Sequence, residues 1–297
     1  MAFPVRDIIA TLKSCAGHFG HSVLAKQRLR AIQEELGLPT HSINQAVQTR
    51  WNSTLHMLQR MFEQRCALNV YASDHGHISC PSAAQWDIVS NLIETLEPLE
   101  EVTLEMSHSE SSASCVIPSI SVLKMMLQHE GPSSAGIKTL RTSMLDSLTR
   151  RFSKAEDTKC LVLATVLDPR YKDKAFTSAE TVEKAKDWLK EEAAHDTAKT
   201  VEETGEAEAA AKRQRVQTDP PPTLVDSLYA KLLGTAHHTD AAQSSFDTEL
   251  ECYLKLPVVE RSSQPLEWWK KNEERFQRLA VLARKYLCPP PSTVPSE

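Results

Sequence analysis

Cys15, His18 and His21 stand at a Cys-x-x-His-x-x-His spacing, which would set three metal ligands on neighbouring helical turns. A structural zinc site needs four ligands with an ordered outer shell, and no fourth is near in sequence, so polar residues on a helix margin are the stronger reading. The same reading covers His75, His77 and Cys80, in a loop-like stretch between two helices. No metal and no cofactor is expected. Asp168 and Arg170 follow the apolar run Cys160–Leu167, where an acid and a guanidinium could do catalysis; a polar stop after a buried segment explains them better. Arg50-Trp51 reads as an anchor at a helix entrance, with an indole to pack and a guanidinium to pair. Lys212, Arg213 and Arg215 form a short basic cluster on an acidic background, which fits a nuclear-import signal, although such tetrads also arise by chance.

The elements that must carry these residues are helical. Aromatic content of 6% and only 8 glycines do not suit a strand-rich fold with many tight turns. A net charge of −5 gives no chain-wide case for nucleic-acid binding, so any such contact is local. Seven scattered cysteines and no leader ahead of them suit free thiols in a reducing compartment. No apolar run approaches the roughly 20 residues needed to cross a bilayer. A soluble intracellular protein is expected, with neither a membrane nor a small-molecule substrate among its partners.

Apolar spacing gives two helices over Phe3–Leu36, broken near Gly17–Gly20 and ended by Gly37 and Pro39. Leu55, Leu58, Met61 and Phe62 make the stripe of the next helix, with Ser53 or Thr54 as its N-cap. A helix over Ser82–Met106 should kink or divide at Pro98. Two more run near Ile117–His129 and Ile137–Phe152. Cys160–Leu167 is apolar on every side; periodicity cannot separate strand from helix there, and helix is favoured because no second strand exists to pair with it. A helix around Ala179–Lys190 precedes a Glu-, Ala-, Thr- and Pro-rich stretch, and a further helix is read at Leu224–Leu233. The expected organisation is a helical domain over 1–190, a disordered acidic linker over 191–222 and a C-terminal region over 223–297.

That last region concentrates the large side chains. From Phe246 a short helix leads to Pro257, and a long one should open near Pro265 and stop at Pro289–Pro291. Adjacent residues on a helix point about 100° apart, so Trp268 and Trp269 cannot share one narrow seam. At least one needs a second surface, from this chain or another; ordinary core and interface are evenly balanced on the residues alone.

Thr49-Arg50-Trp51-Asn52-Ser53-Thr54, then Ala164–Lys172, then Pro265-Leu266-Glu267-Trp268-Trp269, Leu279-Ala280, Ala283–Leu287 and Val294-Pro295-Ser296-Glu297 occur in one order. This series resembles the C-terminal half of a hAT-superfamily DNA transposase, and most of all the BED-zinc-finger proteins domesticated from such elements. The resemblance covers nearly the whole chain. It implies an all-α, insertion-type helical domain followed by C-terminal dimerisation helices, with the RNase-H-like core largely missing. It also implies a dimer interface, or its immediate support, made by Leu250, Tyr253, Leu254, Trp268, Trp269, Phe276, Leu279, Leu282 and Tyr286.

In the family a tryptophan matching Trp51 helps handle a flipped base, so Arg50 and Trp51 become a secondary DNA-binding expectation. Glu297 occupies the position of the family's third catalytic acid. Strand transfer needs two aspartates with that glutamate around divalent metal, and both come before the arginine–tryptophan pair in the family. Here Asp7 is the one aspartate ahead of Arg50. The resemblance therefore implies a nuclear, catalytically inactive dimerisation protein that pairs with itself or with a related hAT-derived chain, Glu297 being vestigial. The competing reading is a fragment of an active, metal-dependent hAT transposase.

Overall fold

Helical spacing of apolar residues becomes twelve α-helices, and no strand, among the described residues of the computed structural model. These residues are 5–47, 50–76, 78–129, 136–211 and 240–291, with the side chains of 197–211 and 240–245 excepted. The protein is all-α. Its helices are α1 (Val5–His21), α2 (Val23–Glu35), α3 (Trp51–Glu63), α4 (Arg65–Asp74), α5 (Ala83–Ser107), α6 (Val116–Gln128) and α7 (Lys138–Arg151), followed by α8 (Lys159–Leu167), α9 (Ala179–Ala211), α10 (Asp240–Lys255), α11 (Pro265–Lys271) and α12 (Gln277–Leu287).

Two units divide the chain: residues to Glu105 with Ile120–Phe152, and Met106–Ser119 with the residues from Ser153 onward. In the first, α1 buries Ile8, Leu12, Cys15 and Phe19 in one core with Leu55, Leu58 and Met61 of α3, Leu68 and Tyr71 of α4, and Trp86 and Val89 of α5. Gln33 and Gln64 are buried there and bond to each other at 2.9 Å, while their amides also reach the His41 and Pro39 carbonyls. A polar clasp thereby pins the loop after α2. Gly37, at φ +65°, ends that helix in the left-handed region that only glycine enters freely, and its N–H bonds to the Glu34 carbonyl.

Several local expectations are corrected in this unit. The break between α1 and α2 falls at Ser22, whose Oγ accepts the Ala25 N–H at 3.1 Å, and not at Gly17–Gly20. Gly20 is helical, and Gln45 packs so close to it that a Cβ there would lie 2.6 Å from the Gln45 amide nitrogen. The N-cap of α3 is Arg50 rather than Ser53 or Thr54, since Ser53 Oγ is engaged with the Val47 N–H and the Arg50 carbonyl. Trp51 does not pack as an anchor: it is the first residue of α3 and is 43% exposed. Helix α5 runs through Pro98 undivided.

The second unit is wrapped around α8. Val162, Leu163, Val166 and Leu167 are buried with Ala185 and Leu189 of α9, Phe246, Leu250 and Tyr253 of α10, Trp269 of α11 and Leu279, Leu282 and Leu287 of α12. The stretch Val162–Leu167 of this nine-residue helix is buried at every position and so must be covered on every side. For that reason residues 153–190 cluster with the C-terminal helices, where the sequence reading joined them to the preceding domain. Helix α9 also continues past Lys190 to Ala211, consistent with the high helix propensity of its Ala-, Glu- and Lys-rich sequence. The rest of the expected linker, the expected helix at Leu224–Leu233, and Lys212, Arg213 and Arg215 lie outside the described residues, as does Glu297.

Candidate functional site

Helix α8 ends inside the protein, where its last carbonyls have no water to bond. An α-helix leaves four such carbonyls unpaired; here the backbone takes one and long-range side chains take two. The Thr165 carbonyl accepts the Asp168 N–H at 3.2 Å. Tyr253 Oη donates to the Val166 carbonyl at 3.0 Å and Trp269 Nε1 to the Leu167 carbonyl at 2.7 Å. The phenol and the indole are thus fixed by the backbone of α8 as well as by packing.

The chain then repays the cap in the other direction. Lys172 sits at φ +51° and is buried, and its Nζ donates to the Tyr253 and Leu256 carbonyls at 2.8 and 2.7 Å, just where α10 ends. The ammonium also lies 4.6 Å from the centroid of the Tyr253 ring. Burial pushes it down to about 8. Between the two caps, Asp168 is fully buried and accepts from Arg170 Nε at 3.0 Å, Arg170 Nη2 at 2.7 Å, the Arg170 N–H at 3.0 Å and Ser114 Oγ at 2.6 Å. A buried carboxylate is tolerable only with such full satisfaction. Asp168 and Arg170 do form the polar stop expected from sequence, and that stop organises the whole region.

Around these caps, Tyr253, Trp268, Trp269 and Phe276 form an aromatic cluster. Centroids of Tyr253 and Trp269 are 4.9 Å apart, the two indoles meet edge-on at 5.0 Å, and Trp268 stacks on Phe276 at 6.1 Å with planes 15° apart. The single long helix expected after Pro265 is in fact two. Asn272 ends α11 by donating its side-chain amide to the Trp268 carbonyl, and Phe276 plugs the core before α12 begins. Glu249 of α10 caps α12, accepting the Leu279 N–H at 2.9 Å. Glu192 of α9 pairs with Lys285 of α12 and Lys159 of α8; the Lys285 hydrogen bond, ahead of that to Lys159, pulls its carboxyl down to about 2.

Of the nine residues expected at the interface or in its support, Leu250, Tyr253, Trp269, Phe276, Leu279 and Leu282 are buried in the chain's own core. Leu254, Trp268 and Tyr286 are half-buried at its edge. Among the described residues, the large apolar side chains exposed in this region are Val258, Leu266 and Val281. Sequence reasoning missed Ser114, Lys172, Glu192 and Glu249, because each is a polar residue whose partner lies far along the chain.

In the first unit, His18 and His75 are engaged within the unit's own packing, while His77 lies outside the described residues. His18 Nε2 is 3.0 Å from Tyr71 Oη, His75 stacks on the Tyr71 ring at 4.3 Å, Cys15 is buried in the core and Cys80 packs against that core. Among the described residues no group of three or more His, Cys, Asp or Glu is placed to hold a metal. No helix among them is long and apolar enough to cross a membrane.

Residues 249–297, which include α11, α12 and the C-terminal part of α10, match the hAT family C-terminal dimerisation region, and residues 4–95 match the ZBED1 RNase-like helical domain. The chain thus resembles hAT-derived proteins in these two stretches. It is similar to zinc finger BED domain-containing protein 4 of Homo sapiens, 28% identical over 293 residues that cover 99% of this chain and 24% of that protein. Zinc finger BED domain-containing protein 6 of Homo sapiens is 30% identical over 200 residues, 62% of this chain and 20% of that one. Zinc finger BED domain-containing protein DAYSLEEPER of Arabidopsis thaliana is 26% identical over 280 residues, 90% of this chain and 38% of that one. The chain thus spans from a fifth to under two-fifths of the length of these proteins.

Proposed function

We propose that this transposase-derived chain is a protein-association module that forms a dimer with itself or with a related hAT-derived chain, without strand-transfer chemistry of its own. The observation that carries the reading is the match of residues 249–297 to the hAT family C-terminal dimerisation region. The packing of that region supports a narrower choice of residues to meet the partner. Tyr253 and Trp269 are committed to capping α8, so they support the interface from beneath. Leu266 and Val281, each between 40 and 50% exposed, with Trp268 and Tyr286 at the core's edge, remain to contact a second chain.

Size-exclusion chromatography with light scattering across a concentration series tests this. A mass of two chains is expected, and Leu266→Glu with Val281→Glu should return it to one chain without changing the melting temperature. A strict monomer at high micromolar concentration, with no binding to a related hAT-derived chain, refutes the reading. An assay of strand transfer with Mg²⁺ or Mn²⁺ should give no product; product would favour the active-fragment reading instead.

A nuclear site of action follows from the basic cluster Lys212, Arg213 and Arg215, and a fluorescent fusion carrying alanines at these positions should lose nuclear accumulation. A DNA contact is a second reading, favoured by the exposed indole of Trp51 at the start of α3. Base stacking on an aromatic is worth about 1–3 kcal/mol, so Trp51→Ala should weaken single-strand binding while leaving its salt dependence, which counts phosphate contacts, unchanged. Equal binding by both proteins rejects the contact.

A further inference from the structure

We propose that the cleft between α9 and α10 receives Leu266 and Lys270 of a second copy of this chain, each protomer seating its α11 in the groove of the other. The proposal rests on the dimer reading above and names the surface on which the exposed Leu266 lands. The cleft, of about 910 Å³, lies within the second unit. Helix α9 walls it on one side and α10 on the other, and Leu254, Leu256, Pro257 and Val258 give it an apolar lining. Leu254 and Leu256 are half-buried, whereas Val258 is 49% exposed. Apolar surface open to water inside a concave site is stabilised by a partner's apolar side chain that covers it.

The charges of the lining say what kind of partner fits. Apart from the buried Lys172, each lysine there is answered by a carboxylate of the same rim: Lys174 by Asp173 at 3.1 Å, Lys186 by Glu183 at 2.7 Å, Lys190 by Asp247 at 3.2 Å and Lys255 by Glu251 at 3.1 Å. A rim so balanced offers no strong positive field to nucleic acid, and it does not repel a second copy of a chain whose net charge is −5. Two buried oxygens of this rim, Asp173 Oδ1 and Asp247 Oδ1, have no hydrogen-bond partner among the described residues. Lys190 at least lies against the second, so Asp173 Oδ1 is the acceptor that calls for a donor from outside. Leu266 and Lys270 are both exposed on α11, four residues apart and so on one face of the helix. An apolar side chain and a cation thus leave the surface together, as the apolar lining and the spare carboxylate oxygen require.

Groove and projecting side chain belong to one stretch of chain. Leu254–Val258 and Leu266 both fall within residues 249–297, the part that matches the hAT dimerisation region. In a two-fold pair every contact is made twice, residue i of one copy on residue j of the other and j on i. A surface that carries both halves of the contact therefore closes at two chains, with each Leu266 against the other protomer's Val258 and each Lys270 against the other protomer's Asp173.

The test is the dimer dissociation constant of the full chain, measured by analytical ultracentrifugation. Val258→Lys should raise it at least about thirtyfold, as loss of a central contact does, and Lys270→Met should raise it up to about fivefold. Mixing then separates a groove from a contact of α11 with α11. Leu266→Glu chains and Val258→Lys chains, each impaired alone, should associate when combined, because the mixed pair keeps one intact contact and sets opposite charges at the other. A benzophenone side chain at position 266, in protein mixed from light and heavy isotope labels, should cross-link to a peptide of the other copy that contains Val258, and this arm holds even if a charged variant unfolds. Wild-type affinity in Val258→Lys, or cross-links from position 266 that reach only α11 or α12 of the other copy, overturns the groove and leaves the dimer reading standing. A wild-type chain that stays monomeric overturns both.

Discussion

Trp269 Nε1 donates to the Leu167 carbonyl at 2.7 Å, joining the C-terminal helices to the end of α8 by a bond buried on both sides. Phenylalanine at position 269 would keep most of the ring and orphan the carbonyl. Trp269→Phe should cost about 1–3 kcal/mol and Trp269→Ala about 3–5 kcal/mol, as read from urea unfolding. Trp268, which is only half-buried, should be less sensitive to alanine. Equal losses at the two positions would contradict the division of labour between the indoles.

Asp168 and Arg170 form a buried pair in which the guanidinium is 14% exposed and the carboxylate is not exposed at all. Removing one partner leaves a charge without compensation, so Arg170→Met or Asp168→Ala alone should destabilise by about 3–5 kcal/mol. The double variant should recover part of that loss, since no buried charge remains. A double-mutant cycle in chemical denaturation measures the coupling; strictly additive losses would show that the pair acts independently.

Lys172 combines a left-handed backbone, φ +51°, with an ammonium on the carbonyls of Tyr253 and Leu256. Both Lys172→Ala and Lys172→Gly abolish the bonds, but only glycine relieves the backbone. Glycine should therefore be less damaging than alanine by about 1 kcal/mol, a reversal of the usual order within a folded segment. Thermal melts of the two variants side by side give the sign.

The Glu192 carboxyl is held at about 2, below its ordinary 4.5, by Lys285 and Lys159. A group with a depressed folded-state pKa contributes stability that is complete above its unfolded value and disappears as pH falls through the folded one. Urea midpoints should fall between pH 4.5 and about 2, and Glu192→Gln should make that decline shallower while lowering stability at pH 7. Parallel acid limbs for the two proteins would exclude Glu192 as a contributor.

The places where sequence reading fell short share a cause. Helix positions were legible because periodicity is local: α6, α7 and α8 lie where the spacing put them, and α8 is a helix rather than a strand. The break at Asn272–Phe276 was not legible, because Phe276 leaves the helix to fill a core made by α8, α9 and α10. The use of His18 was equally hidden, since Tyr71 approaches it only through folding.

The amino-acid sequence by itself determined an all-α protein, a hAT-type order of landmarks and a C-terminal concentration of aromatics. Tertiary structure alone decided which of those aromatics serve the chain's own core. Trp268 and Trp269 are chemically identical neighbours, and helical geometry requires only that they face different ways. The free carbonyl of Leu167 chose Trp269 for the interior and left Trp268 at the edge, because a buried acceptor must find a donor and only one indole points at it.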